Sequence, residues 1–236
     1  MIKVSIAGLN VGIDNRFDFI EKMTADYVSD KGPLDFSVSV TPEQLSEEAE
    51  MSEREYSDGY LESVAVYRSI AERLPEFGGA VFHGAVIAHE GKAYAVTARS
   101  GVGKTTHLSL WLRAFGDKVH ILNGDKPIIR DIDGTLYAAG TPWRGKENFG
   151  VNEMLPLAGI AFLERAESNS AQKISPTDAL IPFISQIYIP KGPRCAALAL
   201  SLANKAISSV PLFRFKVNMD IEAAHIAYKA FIKGGV

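Results

Sequence analysis

From Ala98 to Thr106 the chain reads Ala-Arg-Ser-Gly-Val-Gly-Lys-Thr-Thr, a set of residues suited to gripping a polyphosphate. Gly101 and Gly103 can reach positive φ and carry no Cβ, so main-chain N–H groups can converge on phosphate oxygens. A helix starting near Lys104 would aim its free N–H groups and the positive end of its dipole at the same anion. Lys104 supplies a mobile positive charge for the β and γ phosphates, and the Thr105 hydroxyl is placed to ligate magnesium. The usual pattern, G-x-x-x-x-G-K-[ST], begins with glycine; alanine at position 98 is the smallest departure from it. The expected cofactors are therefore ATP and Mg2+, held by Ser100, Gly101, Val102, Gly103, Lys104, Thr105 and Thr106.

A triphosphate site also needs a carboxylate, to share the magnesium or to accept a proton from the attacking group. Asp125 is the candidate, in the polar run Asn123-Gly124-Asp125-Lys126-Pro127 at the end of a strand; the alternative is an aspartate that only caps a turn. The segment from Gly140 to Glu147 mixes glycines, a proline and opposite charges, a composition suited to a loop lying over a site. Within it Arg144 and Lys146 are candidates for neutralising phosphate charge; the alternative is a turn whose charges are simply solvated. Glu147 is a candidate second metal ligand, and Trp143 reads as a core residue. His83 lies on an apolar stretch one hairpin before the glycine loop; the residues alone favour a core or edge histidine, and the alternative is a group that donates a hydrogen bond to phosphate or relays a proton. His107 reads as a partly exposed helix residue. Arg165, Asn169 and Arg194 are weaker candidates for approaching the ligand.

These residues need a frame. The pattern predicts strands over Ile2 to Ile6, Asp35 to Val40, Ala80 to His89 and Tyr94 to Ala98, then Val119 to Leu122, Pro127 to Ile132, Leu136 to Ala139 and Leu157 to Leu163. Helices are predicted over Arg16 to Val28, from Thr41 with Pro42 at its first position, and over Lys104 to Phe115. Three more are predicted over Pro176 to Ile187, Arg194 to Ala206 and Asp220 to Lys233. Glu90-Gly91-Lys92 and Asp133-Gly134 are hairpin signals. The strand bearing the loop is thus the second arm of a hairpin, which predicts a mixed or antiparallel sheet beside helices. The texture changes near residue 79, so the expected division is a small N-terminal α/β region over 1–78 and a P-loop domain over 79–236. The acidic run from Glu43 to Glu55 reads as a solvated helix face.

The ordered set SGVGKTTH, Trp111, LNGDKPIIR, GTPWRGKE and FLERAESN resembles small bacterial members of the HPr kinase/phosphorylase family, whose catalytic domain is similar to that of ATP-dependent phosphoenolpyruvate carboxykinase. The likeness spans roughly residues 80–190 and does not extend to residues 1–78. It implies an α/β fold with α+β tendency: a nucleotide-binding domain with a mixed or antiparallel sheet. It matches His83-Gly84 to the family's histidine before the loop. It also implies two adjacent aspartates at the strand end, where this chain has Gly124-Asp125. One carboxylate is missing, so Asp125 is expected to act as metal ligand with a secondary role as base.

Bulk composition narrows the classes further. A net charge of −3 gives no basic field for nucleic acid. No apolar run approaches the roughly 20 residues needed to cross a bilayer. The lone Cys195 cannot form an internal disulfide, which fits a reducing cytoplasm. The expected activity is ATP-dependent kinase chemistry. Lys104, Asp125, His83 and Arg144 would be catalytic, and Thr105, Asp125 and Glu147 would be metal ligands. The phospho-acceptor is a protein, peptide or small molecule, and a homo-oligomer is possible. The alternative is a catalytically weak ATP-binding module whose ordered loop meets a partner.

Overall fold

Two hairpins begin the two halves of the chain, and each is closed by a residue pair with positive φ. Strands β1 (Ile2–Ile6) and β2 (Leu9–Asp14) pair antiparallel across Ala7 and Gly8, and β3 (Phe36–Ser39) adds to β2 in parallel. Between them lie a short helix α1 (Asp18–Met23) and a 3-10 turn. The sequence predicts one helix here, running on to Val28. The helix instead stops at Thr24, whose hydroxyl donates to the carbonyl of Ile20 at 2.7 Å and competes with the next turn. Helix α2 (Pro42–Met51) opens on a reciprocal cap between Thr41 and Gln44. Helix α3 (Asp58–Arg73) packs on the small sheet, burying Ala65, Val66, Ile70 and Ala71. Within the acidic run Glu48 is not solvated: it is buried and paired with Arg68.

The computed structural model describes residues 1–99 and 101–234. Its larger sheet is mixed. Strands β4 (Gly79–Val81), β5 (Ala85–His89), β6 (Lys92–Thr97), β7 (Val119–Asn123), β8 (Ile128–Ile132) and β9 (Thr135–Ala139) are joined by the long β10 (Met154–Arg165) and by β11 (Ser170–Lys173) and β12 (Leu212–Val217). The order runs β4-β8-β9-β10-β6-β5-β7, with β12 on the other side of the outer part of β10 and β11 beyond it. β10 bends to serve two neighbourhoods. Met154, Leu155 and Pro156 pair antiparallel with β9, and the remainder runs parallel to both β6 and β12.

Alternation along the strands sends residues to opposite faces. On one face Val96, Ile121, Ala161 and Phe215 meet α4 (Lys104–Phe115) and α7 (Glu222–Lys233). On the other, Ala95, Leu122, Ile160 and Phe162 meet α5 (Pro176–Ile184) and α6 (Pro193–Ser209). Val81, Ile128 and Ala139 face away from α6 and share a core with the N-terminal sheet and α3. The expected strand over Ala80 to His89 is two strands. Phe82-His83-Gly84 is the break, and a Cβ on Gly84 would come 2.4 Å from the Phe82 ring. Strands β2, β11 and β12 were not among the sequence expectations.

Candidate functional site

Helix α4 begins where the glycine loop ends. Gly101 and Gly103 have φ of 79° and 115°, values that glycine adopts without a Cβ penalty. Gly103 is the N-terminal cap residue of α4 and has no side chain to offer, so among the described residues no capping side chain takes up the first N–H groups of the helix. Ser100 lies outside the described residues. Val102 is half-buried against the α4/α7 core, and Thr105 and Thr106 are half-buried on the first helical turn. The Lys104 ammonium folds back to donate to the carbonyl of Ala98 at 3.2 Å. Burial lowers its pKa, opposed by the charge of Asp125.

Asp125 sits just past β7, two strands from the loop-bearing β6, and the local fold is organised by Asn123. The fully buried Asn123 side chain accepts from the N–H groups of Asp125 and Lys126 at 2.8 and 2.7 Å. Its amide donates to the carbonyl and hydroxyl of Thr141 at 3.0 and 3.1 Å. Thr141 in turn donates to the carbonyl of Lys126 at 2.8 Å. One amide side chain therefore fixes both the carboxylate turn and the start of the Gly140–Glu147 segment.

Around that carboxylate three positive or titratable groups gather. Lys126 Nζ lies 3.1 and 3.2 Å from the two Asp125 oxygens, and His83 Nε2 stands 3.5 Å from Oδ1. Burial holds the His83 imidazole down at about 4, helped by the charges of Lys126 and Lys104 and opposed by Asp125. His83 is therefore neutral near pH 7, able to accept or donate one hydrogen bond. Its main chain is pinned as well: His83 N–H donates to the Gln186 carbonyl at 2.6 Å, and Gly84 N–H to the Asp125 carbonyl at 3.1 Å. Two ammonium groups against one carboxylate make a locally cationic site, suited to a ligand with several negative charges.

The Gly140–Glu147 segment lies over Asp125. A Cβ on Gly145, which has φ of 78°, would come 3.1 Å from the Asp125 Cβ. Trp143 anchors the segment to α3, its indole donating to the Ser63 carbonyl at 3.0 Å and its ring packing 5.4 Å from that of Tyr67. Arg144 is directed elsewhere than the cluster: its guanidinium pairs with Asp26 at 2.9 Å and lies 5.6 Å above the Tyr27 ring. Lys146 and Glu147 are exposed in the same segment, and among the described residues Glu147 belongs to no group of three or more His, Cys, Asp or Glu side chains around Asp125. The structure thus brings together Lys104, Asp125 and His83 of the expected set. Arg144 and Glu147 are not drawn in.

The lesser candidates separate likewise. Arg165 ends β10 beside a cavity that borders the loop. Asn169 is engaged with Asn218 through two hydrogen bonds of 2.8 Å, and Arg194 is exposed on the first turn of α6. His107 is not partly exposed. It is 2% accessible, accepts from the Trp111 indole at 3.0 Å, and burial drives its pKa to about 4. Sequence reasoning placed Asn123, Lys126 and Thr141 in polar segments without giving them a role, and passed over Tyr67. Tyr67, whose hydroxyl pKa is raised by burial and then by the Asp125 charge, belongs to a helix with no motif to mark it.

Magnesium fits these residues in one way. Thr105, on the first turn of α4, and Asp125, just past β7, are hard oxygen donors, the kind that suits a cation that keeps several waters and shares phosphate oxygens. Among the described residues no group of three or more His, Cys, Asp or Glu side chains forms an all-protein metal cage.

No family model matches the chain, and no curated protein matches it. Among solved structures the chain is similar to one described as the Hpr(Ser) kinase/phosphatase from Coxiella burnetii, at 11% identity and a TM-score of 0.38. The likeness covers 65% of this chain and 93% of that one. No helix is long and apolar enough to cross a membrane among the described residues.

Proposed function

We propose that the chain binds a magnesium–nucleoside triphosphate on the loop between β6 and α4 and transfers the γ-phosphoryl group to a hydroxyl. The observation that carries this reading is the convergence of Lys104, Asp125 and His83 beside an uncapped helix N-terminus preceded by two positive-φ glycines. The order of sequence motifs, which resembles the HPr kinase/phosphorylase family, supports the same chemistry.

In this account the α4 N–H groups and Lys104 hold the phosphates, and Thr105 with Asp125 would hold magnesium. When bound, that ion neutralises charge on the β and γ oxygens. The acceptor hydroxyl oxygen bonds to the γ phosphorus while the bond to the β–γ bridging oxygen breaks, releasing the nucleoside diphosphate. The hydroxyl proton passes to Asp125. Lys126, paired to Asp125 at 3.1 Å, steadies the carboxylate, and neutral His83 offers one hydrogen bond to the transferring group.

The test is incubation with γ-labelled ATP, magnesium and hydroxyl-bearing acceptors, including HPr. The wild type is expected to transfer label, and Asp125→Asn to lose about 100-fold or more in rate. Full transfer by Asp125→Asn would remove Asp125 from the chemistry. A second reading, ATP binding without transfer, is favoured by Gly124 at the position where the family resemblance implies another carboxylate. Tight ATP binding with no label transfer to any acceptor would select it.

A further inference from the structure

Beside the glycine loop, at the C-terminal ends of β6 and β10 and against Arg214 of β12, lies a cavity of about 690 Å³, within the size range of small-molecule sites. We propose that it receives the nucleoside of the triphosphate; this rests on the loop reading above and extends it to the other end of the ligand. The argument is one of sides. β6 carries the loop, and the groups that meet the γ-phosphate, Asp125 and His83, stand toward β5 and β7. A polyphosphate with its γ end there directs its α end toward β10 and β12, where the cavity opens.

The lining has the chemistry of a nucleoside site. Val102 from the loop, Phe162 and Leu163 from β10, and Ile181 and Pro182 from α5 give apolar walls for a planar base. Ser185 and Gln186 add hydrogen-bonding groups for its edge, and Arg99 and Arg165 place cationic side chains for the α-phosphate; of the two carboxylates on the wall, Glu164 is paired with Arg214 at 2.9 Å and Asp178 accepts from the Ser175 hydroxyl at 2.7 Å. The inner wall is continuous with the cluster: Thr97 in the cavity donates to the His83 carbonyl at 2.7 Å and reaches the Gln186 side chain at 3.3 Å. The rival occupant is the acceptor. Its hydroxyl must meet Asp125, and among the described residues neither Asp125, His83, Lys126 nor Gly145 lines this cavity.

The experiment compares magnesium–ATP with magnesium–tripolyphosphate by calorimetry, on the wild type and on Ile181→Trp. Ile181 is 79% exposed on α5, so a larger side chain can be carried there without disturbing the core. The wild type is expected to bind ATP more tightly than tripolyphosphate. The variant is expected to lose about tenfold or more for ATP while tripolyphosphate stays within about twofold. Ser185→Tyr, on the same wall, repeats the test if the first variant melts early. Equal wild-type affinities for the two ligands, or a variant that weakens both or neither, overturns the nucleoside assignment and leaves the loop reading standing. Failure of the wild type to bind either ligand overturns both.

Discussion

Asp125 works within a turn whose dimensions are set by Gly124. A Cβ at position 124 would meet the Arg144 carbonyl oxygen at 3.0 Å and the Phe149 Cβ and carbonyl oxygen at 3.3 and 3.4 Å. Gly124→Asp, which would restore the pair of carboxylates implied by the family resemblance, is therefore expected to cost about 1–3 kcal/mol in chemical denaturation; unchanged stability would show that the Phe149 segment yields freely. His83 offers a second check, by NMR titration of its ring. Its midpoint is expected near 4, below the ordinary value of about 6.5, because burial and two lysines disfavour the charged ring. Removing the carboxylate with Asp125→Asn should lower the midpoint further, and Lys126→Gln should raise it. An ordinary midpoint would mean that the imidazole is solvated and outside the cluster. The loop, Asp125 and His83 were legible because few side chains combine those chemistries at that spacing. Arg144 was not, since its commitment to Asp26 joins residues far apart in sequence that no local pattern links.

Among the elements, α4 is where sequence and structure agree most closely, from Lys104 to Phe115. A glycine entry and a clean apolar stripe define it from both ends. What the stripe could not tell was that His107 lies inside it, with its Nε2 accepting from Trp111 and its Nδ1 buried without a partner among the described residues. The sign of the resulting pH dependence follows from linkage. The unfolded chain binds a proton at about 6.5 that the folded chain refuses until about 4, so stability falls as pH drops through that window, by on the order of 3 kcal/mol in all. His107→Gln keeps an acceptor for Trp111 and should remove this part of the acid sensitivity, read as the difference between melting curves at pH 7 and pH 4.5. Identical pH profiles would contradict it. The hairpins at Glu90-Gly91 and Asp133-Gly134 were legible because Gly91, Asp133 and Gly134 suit the positive φ that closes each turn. Strand β12 is a six-residue signal following a long helix, and its partners, β10 and β11, lie about 40 to 50 residues away in sequence. The break at Phe82–Gly84 was hidden because β4 and β5 are both apolar and only their different sheet partners separate them.

Across the whole molecule, the change of texture near residue 79 coincides with the passage from the small sheet to the large one, yet packing crosses it. Val81, Ile128 and Ala139 share a core with the N-terminal strands, and Arg130 donates to the carbonyls of Phe77 and Ala7 at 2.9 Å. Tyr188 donates to Glu72 at 2.8 Å, and Trp143 ties the segment over Asp125 to α3. A chain of residues 79–236 is therefore expected to be poorly soluble and to lack a cooperative melt, because its exposed apolar face has lost its cover. A soluble fragment with an intact transition would show that the two parts fold independently. The central claim is that main-chain N–H groups, Lys104 and Asp125 together grip a triphosphate. Its most direct measurement is calorimetric titration of magnesium–ATP into the wild type and Lys104→Met. Saturable binding by the wild type, weakened about tenfold or more in a variant that melts normally, is the result predicted. No binding by the wild type, or equal binding by both, would contradict it.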